Sequence, residues 1–241
     1  MDWQDRGTIL SARPHGESAA IIEVFTAAHG RHLGVVRGGA SRKMAATLMP
    51  GSHVAVVWRA RLEDHLGSFT VEPLASRAGA LADRLALMGL NATCALLSFA
   101  LPERDPHLRL YDATEALFGV IAAAHDGWVI DYLHWEMALL EDLGFRLDLG
   151  RCAVTGSRDD LAFVSPRTGR AVSRGAAGDW AAKLLPLPQF LLGQGPASWA
   201  DISDGLRLSG HFLTRFAEDH GHRPLPEARR RLVAALARQT S

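Results

Sequence analysis

The side chains able to hold a metal, attack a substrate or shuttle protons are few in this sequence and widely spread. Two cysteines, Cys94 and Cys152, stand far apart, and Cys94 lies in an apolar helical run, so no disulfide is predicted and a reducing cytoplasm fits. Cys152 opens a more informative spacing. Positions 152, 155, 171 and 174 fit the C-x2-C-x15-C-x2-C ladder of a zinc ribbon, in which four thiolates surround the ion tetrahedrally. Thr155, Ala171 and Arg174 occupy the other three rungs, and one thiolate cannot complete such a site. The hairpin is therefore expected without its metal, and no cofactor is expected.

The histidines form no better constellation. His211, His220 and His222 lack a carboxylate pattern and read as surface or capping residues, while Glu63-Asp64-His65 reads as a solvated turn. Phosphate-binding glycine loops, the His-Glu-x-x-His zinc motif and the Gly-x-Ser-x-Gly nucleophile elbow are all missing from the sequence. An enzyme is not expected.

The chemistry that the residues do favour is polyanion binding. Formal charge sums to zero, yet residues 1–80 carry 9 basic and 7 acidic side chains, residues 81–150 carry 4 and 11, and residues 151–241 carry 13 and 8. Between positions 31 and 61 lie Arg31, Arg37, Arg42, Lys43, Arg59 and Arg61 with no Asp or Glu, and a one-sign block of this kind raises the local potential toward phosphates. A solvated face is the bland alternative. Near the other end, Arg229-Arg230-Arg231 flanks Leu232, Val233 and Leu236 in a basic amphipathic pattern suited to nucleic acid, anionic lipid or an acidic protein tail.

Those cations must be positioned by elements, and the hydrophobic period divides the chain into two kinds. Up to Pro73 short apolar runs, Thr8–Ala12, Ala20–Phe25, Arg31–Val36, His53–Trp58 and Gly67–Val71, alternate with breakers, predicting five strands. Five strands in so short a length suit a small OB-fold barrel, whose open face commonly takes single strands. The Gly38–Gly51 stretch reads as a connecting loop. Beyond Pro73 the period becomes helical over 81–101, 108–124 and 128–143. Residues 150–178 form a turn-rich hairpin around Ser165-Pro166-Arg167-Thr168-Gly169, and helix resumes over 180–192, broken by Pro186 and Pro188, from an Asp201 cap, and over 226–238. The expected fold is α+β, with an OB-fold domain over 1–78 and an α-helical domain over 79–241. Residues 150–178 are its zinc-ribbon-like insert without zinc ligands. No apolar run reaches the roughly 18 residues that span a bilayer, and the N-terminus lacks an export signal, so no membrane partner is expected.

Several segments carry a resemblance. Arg13-Pro14-His15-Gly16-Glu17, His29-Gly30-Arg31, Gly34-Val35-Val36-Arg37-Gly38-Gly39 and Trp58-Arg59-Ala60-Arg61-Leu62 resemble the N-terminal domain of the RecO family of DNA repair proteins. Leu139-Leu140-Glu141-Asp142-Leu143-Gly144-Phe145, Cys152 and the 164–173 run resemble its helical domain and zinc-finger insert. The resemblance implies a non-enzymatic recombination mediator in the cytoplasm, associated with the nucleoid. It would bind single- and double-stranded DNA, anneal complementary strands and act with RecR to load RecA onto DNA coated by single-stranded-DNA-binding protein. Zinc is not carried over, because one of the four cysteines remains.

On this reading Arg31, Arg37, Arg42, Lys43, Arg59 and Arg61 contact DNA. A docking groove for the acidic, apolar-ended tail of single-stranded-DNA-binding protein is expected from Arg223, Arg229 and Arg230 beside Leu225 and Leu232, with the helix around Leu133, His134 and Trp135 as a competing wall. The alternative function is a helical protein-binding adaptor whose barrel does not contact DNA. A nuclease or ligase accessory is disfavoured by the missing carboxylate clusters for magnesium.

Overall fold

The first strand, β1 (Asp2–His15), runs to 14 residues, nearly three times the expected length, because it serves two neighbours. Its first half, Asp2–Thr8, pairs antiparallel with β4 (His53–Arg59), and its second, Gly7–His15, with β2 (Ala19–Thr26). The charged residues Asp2, Asp5 and Arg6 hid the first half in the sequence. Asp2, Gln4 and Arg6 are exposed while Trp3 and Asp5 between them are half-buried, which is a strand alternation read through polar residues. β2 continues into β3 (Gly30–Val36), β4 into β5 (Ser68–Ala75), and one parallel pairing, Val35 with Ser68, closes the barrel in the order β1-β2-β3-β5-β4.

This structure is a computed structural model, and it describes residues 1–75, 77–221 and 223–239. His222 lies outside the described residues. Ile9, Ile22, Val24, Val54, Val56 and Trp58 fill the barrel, joined by Leu48. Leu48 is held there by a short helix, α1 (Arg42–Thr47), inside the stretch read as loop; Ser41 caps it, its Oγ accepting from the Met44 amide at 3.4 Å. Six residues are too few for a helical period to show.

Every residue of β2 after Ala19 is buried, so both faces are covered. One packs into the barrel. The other meets α2 (Arg84–Ala100) and α3 (Leu108–Ala122): Glu23 accepts from Ser98 Oγ at 2.7 Å, and Phe25 lies edge-on to Tyr111 at 5.6 Å. Contacts group the chain into two compact units, one comprising Met1–Trp128 with Pro226–Leu232 and the other Val129–Leu225 with Val233–Ser241.

The second unit contains α4 (Trp128–Asp142) from Val129 onward, β6 (Leu161–Val164), β7 (Ala171–Ser173), the single turn α5 (Arg174–Ala177), β8 (Leu185–Pro186), α6 (Trp199–Asp219) and the end of α7 (Glu227–Ala237). The expected hairpin is β6–β7, extended by β8 into a three-stranded sheet. The helix expected over 180–192 is absent. Pro186 and Pro188 exclude it, and Leu185-Pro186 instead pairs with β6 between two 3-10 turns. Helix α6 begins three residues earlier than expected: Ser198 is the cap, and Asp201 closes a capping box from inside the first turn.

Candidate nucleic-acid interface

Five of the six expected DNA-contact residues stand at the barrel surface. Arg37 follows β3, Arg42 and Lys43 open α1, Arg59 ends β4 and Arg61 follows it. All five are exposed, and among the described residues none of them forms an ion pair. They fall into two groups. Arg37, Arg42 and Lys43 occupy the β3–β4 connection, and Arg59 and Arg61 the β4–β5 connection, where Glu63 and Asp64 dilute the charge. The strands that carry Arg37 and Arg59 flank the same residue, since Ser68 pairs with Val35 on one side and Arg59 on the other.

Arg31 is a correction. Its guanidinium is only 15% exposed, ion-paired with Glu23, and its Nε donates to the Leu101 carbonyl at 2.9 Å. A cation spent on a buried carboxylate is not offered to a phosphate, and sequence alone could not foresee this because Glu23 lies outside the acid-free block. Glu23 also accepts from Ser11 Oγ at 3.2 Å, so the pair locks β1, β2, β3 and α2 together.

The aromatic residues of the barrel point inward. Trp58 is buried, its indole N–H donating to the Leu66 carbonyl at 3.1 Å, and Trp3 stacks on His29 with ring centres 4.0 Å apart. His32 sits edge-on to both indoles, buried, with neither ring nitrogen hydrogen-bonded, and burial, followed by Arg104 and His29, lowers its pKa to about 4. These rings plug one barrel end and leave no large exposed aromatic among the described residues of this unit.

The expected partner-binding residues do not form a groove as drawn. Trp135 is 2% exposed and packs on Tyr132 at 5.9 Å, Leu133 is fully buried, and Arg229 is 5% exposed, so none of the three can face a peptide. Arg230 is exposed and paired with Glu227, and Arg223 is exposed before α7. Arg223 belongs to the second unit, Arg229 and Arg230 to the first. From the competing wall, His134 alone reaches a cavity. In the second unit it joins Met137, Phe145, Leu147 and Leu191 around an apolar hollow of about 460 Å³ with Arg146 and Glu141 at its rim. The signal for this hollow was the 139–145 segment, whose exposed side the helical period does not reveal.

At the former zinc ladder, Ala171 and Arg174 do not meet Cys152. Arg174 pairs with Asp160, while the Ser173 amide and hydroxyl approach the Cys152 sulfur at 3.3 and 3.4 Å. Burial opposes ionisation of this thiol, but hydrogen bonds from Ser173 and Thr155 outweigh it and lower the pKa to about 6. Among the described residues no three His, Cys, Asp or Glu side chains gather where they could share a metal ion.

A barrel of five strands with exposed cations, followed by a helical unit with a small sheet, defines an α+β protein with a barrel able to bind polyanions. Residues 1–77 match the model of the N-terminal domain of recombination protein O, and residues 81–225 that of its C-terminal domain. The chain is 63% identical over 238 residues to a DNA repair protein RecO of Cereibacter sphaeroides, covering 99% of each. It is 56% identical over 241 residues to one of Ruegeria sp., covering 99% of this chain and all of that one. This chain belongs to the RecO family of DNA repair proteins. Among the described residues no helix is long and apolar enough to cross a membrane.

Proposed function

We propose that this chain is a non-enzymatic recombination mediator that binds single- and double-stranded DNA, anneals complementary strands and works with RecR to load RecA onto DNA coated by single-stranded-DNA-binding protein. Its place would be the cytoplasm, at the nucleoid. The observation that carries this reading is the set of five exposed barrel cations, Arg37, Arg42, Lys43, Arg59 and Arg61, that form no ion pair among the described residues. Unpaired guanidinium and ammonium groups bind phosphates and release counterions, which is a sequence-independent contact suited to a protein that must accept any strand. Arg42 and Lys43 are adjacent, exposed and free of tertiary contacts that their loss would break. Arg42→Ala with Lys43→Ala should weaken single-strand binding about tenfold and flatten the dependence of log K on log salt by about 1.4, at about 0.7 per lost phosphate contact. Unchanged affinity and slope would overturn the assignment.

The hollow beside α4 supports the partner half of this reading. An acidic tail ending in an apolar side chain needs apolar surface beside a cation, which Phe145, Leu147 and Arg146 supply, with Glu141 as a competing carboxylate in the same lining. Arg146→Glu should abolish binding of a labelled acidic tail peptide in fluorescence anisotropy, and equal binding by both proteins would remove the hollow from the account.

A further inference from the structure

Strands bound without sequence preference usually have their bases stacked on exposed aromatic side chains, and the basic face of this barrel has none among the described residues. The bases of a bound strand must go elsewhere. A hollow of about 710 Å³ in the first unit is lined by β1, α2 and the start of α7. Met88, Asn91, Ala95 and Phe99 recur every three or four residues along α2, so one helical face lines one wall, while Leu10 and Ser11 line the other. The floor is the Glu23 carboxylate, which is 8% exposed on its side chain and held in place by Arg31, Ser11 and Ser98. Three hydrogen bonds leave a carboxylate acceptor site unused. Asn91 makes no hydrogen bond within the described residues, and its half-buried amide faces the hollow.

A second depression of about 340 Å³, lined by Arg13, Ala40, Ala45 and Met49, shares Pro50 with this hollow, and Ala45 stands on the same short helix as Arg42 and Lys43. Glu227 and Arg231, paired with each other at 3.2 Å, also line the hollow. Chain that carries Arg42 and Lys43 therefore adjoins a depression that borders the slot.

We propose that this slot receives one unstacked nucleobase, with an amino-bearing edge donating to Glu23 and the Asn91 amide reading the rest of that edge. The proposal deepens the DNA-binding reading and rests on it. A carboxylate accepts from the cytosine amino group but faces an acceptor, O4, on thymine. The full chain should therefore bind an oligodeoxycytidine about fivefold tighter than an oligothymidine of equal length, the worth of about one hydrogen bond. Ala95→Trp, which fills the slot, should bring that ratio close to one, and Asn91→Leu should reduce it, each leaving the salt dependence unchanged. As a second measurement, photocross-linking with 5-iododeoxycytidine should label an α2 peptide. A wild-type ratio of one, a ratio that persists in both variants, or cross-links that miss α2 would overturn the proposal. If wild type binds neither oligomer, the DNA-binding reading itself has failed and the slot fails with it, which differs from equal, salt-sensitive binding of both.

Discussion

Cys152 shows how a single residue outlives the site to which its spacing belongs. Its sulfur accepts from Ser173 and Thr155, and the thiol pKa falls from the ordinary 9.0 to about 6. A folded-state value below the unfolded one means that the hydrogen-bonded thiolate adds stability, in full above about pH 9 and lost as pH falls toward 6. Cys152→Ser keeps a hydrogen-bonding group that does not titrate in this window. The gap in urea midpoint between wild type and this variant should widen as pH rises from about 6 to about 9; a gap independent of pH would show that the sulfur stays protonated. Sequence alone supplied the hairpin and the isolated thiol. It could not supply Ser173, because the residue that faces the sulfur lies one position before the expected rung, and only the strand register decides which side chain turns inward. Arg31 was misread for a related reason: its partner Glu23 is near only once β2 and β3 pair.

Elements were legible wherever one face alone is buried and the run is long. α2, α3 and α4 lie within a few residues of their expected bounds because their apolar stripes repeat over about four turns. The first half of β1 and the short α1 were not, since charge and brevity respectively obscured them, and in the 180–192 segment the prolines marked the break but not the strand pairing of Leu185-Pro186. The turn between β2 and β3 gives an element-scale test. Gly30 has φ +62°, and a Cβ there would stand 2.0 Å from the Asp105 carbonyl oxygen, in the connection between α2 and α3 that also hydrogen-bonds the Arg31 carbonyl through the Arg104 amide at 2.8 Å. Gly16, at φ +60° in the β1–β2 turn, has nothing within 4 Å. Gly16→Ala should therefore cost only the left-handed backbone penalty, about 1 kcal/mol, whereas Gly30→Ala must also move backbone and should cost about 3 kcal/mol or more. Equal losses in chemical denaturation would show that the α2–α3 connection is not fixed against the barrel turn.

For the whole molecule, neutrality conceals a division of labour. Acidic residues concentrate in the 81–150 stretch, whose α2 and α3 cover β2, and the exposed cations of the β3–β4 and β4–β5 connections remain unneutralised on the barrel. Membership of the RecO family rests on matches to both domains, and the DNA contact is the part of its function that these exposed charges bear on directly. An adaptor whose barrel binds protein through an apolar groove would respond weakly to salt, so one experiment separates the two readings. Binding of the full chain to a labelled single strand, followed across a salt series, should give log K falling linearly with log salt at a slope of about −3.5, at about −0.7 per phosphate for the five cations. Binding indifferent to salt, or no binding at low salt, would contradict the account.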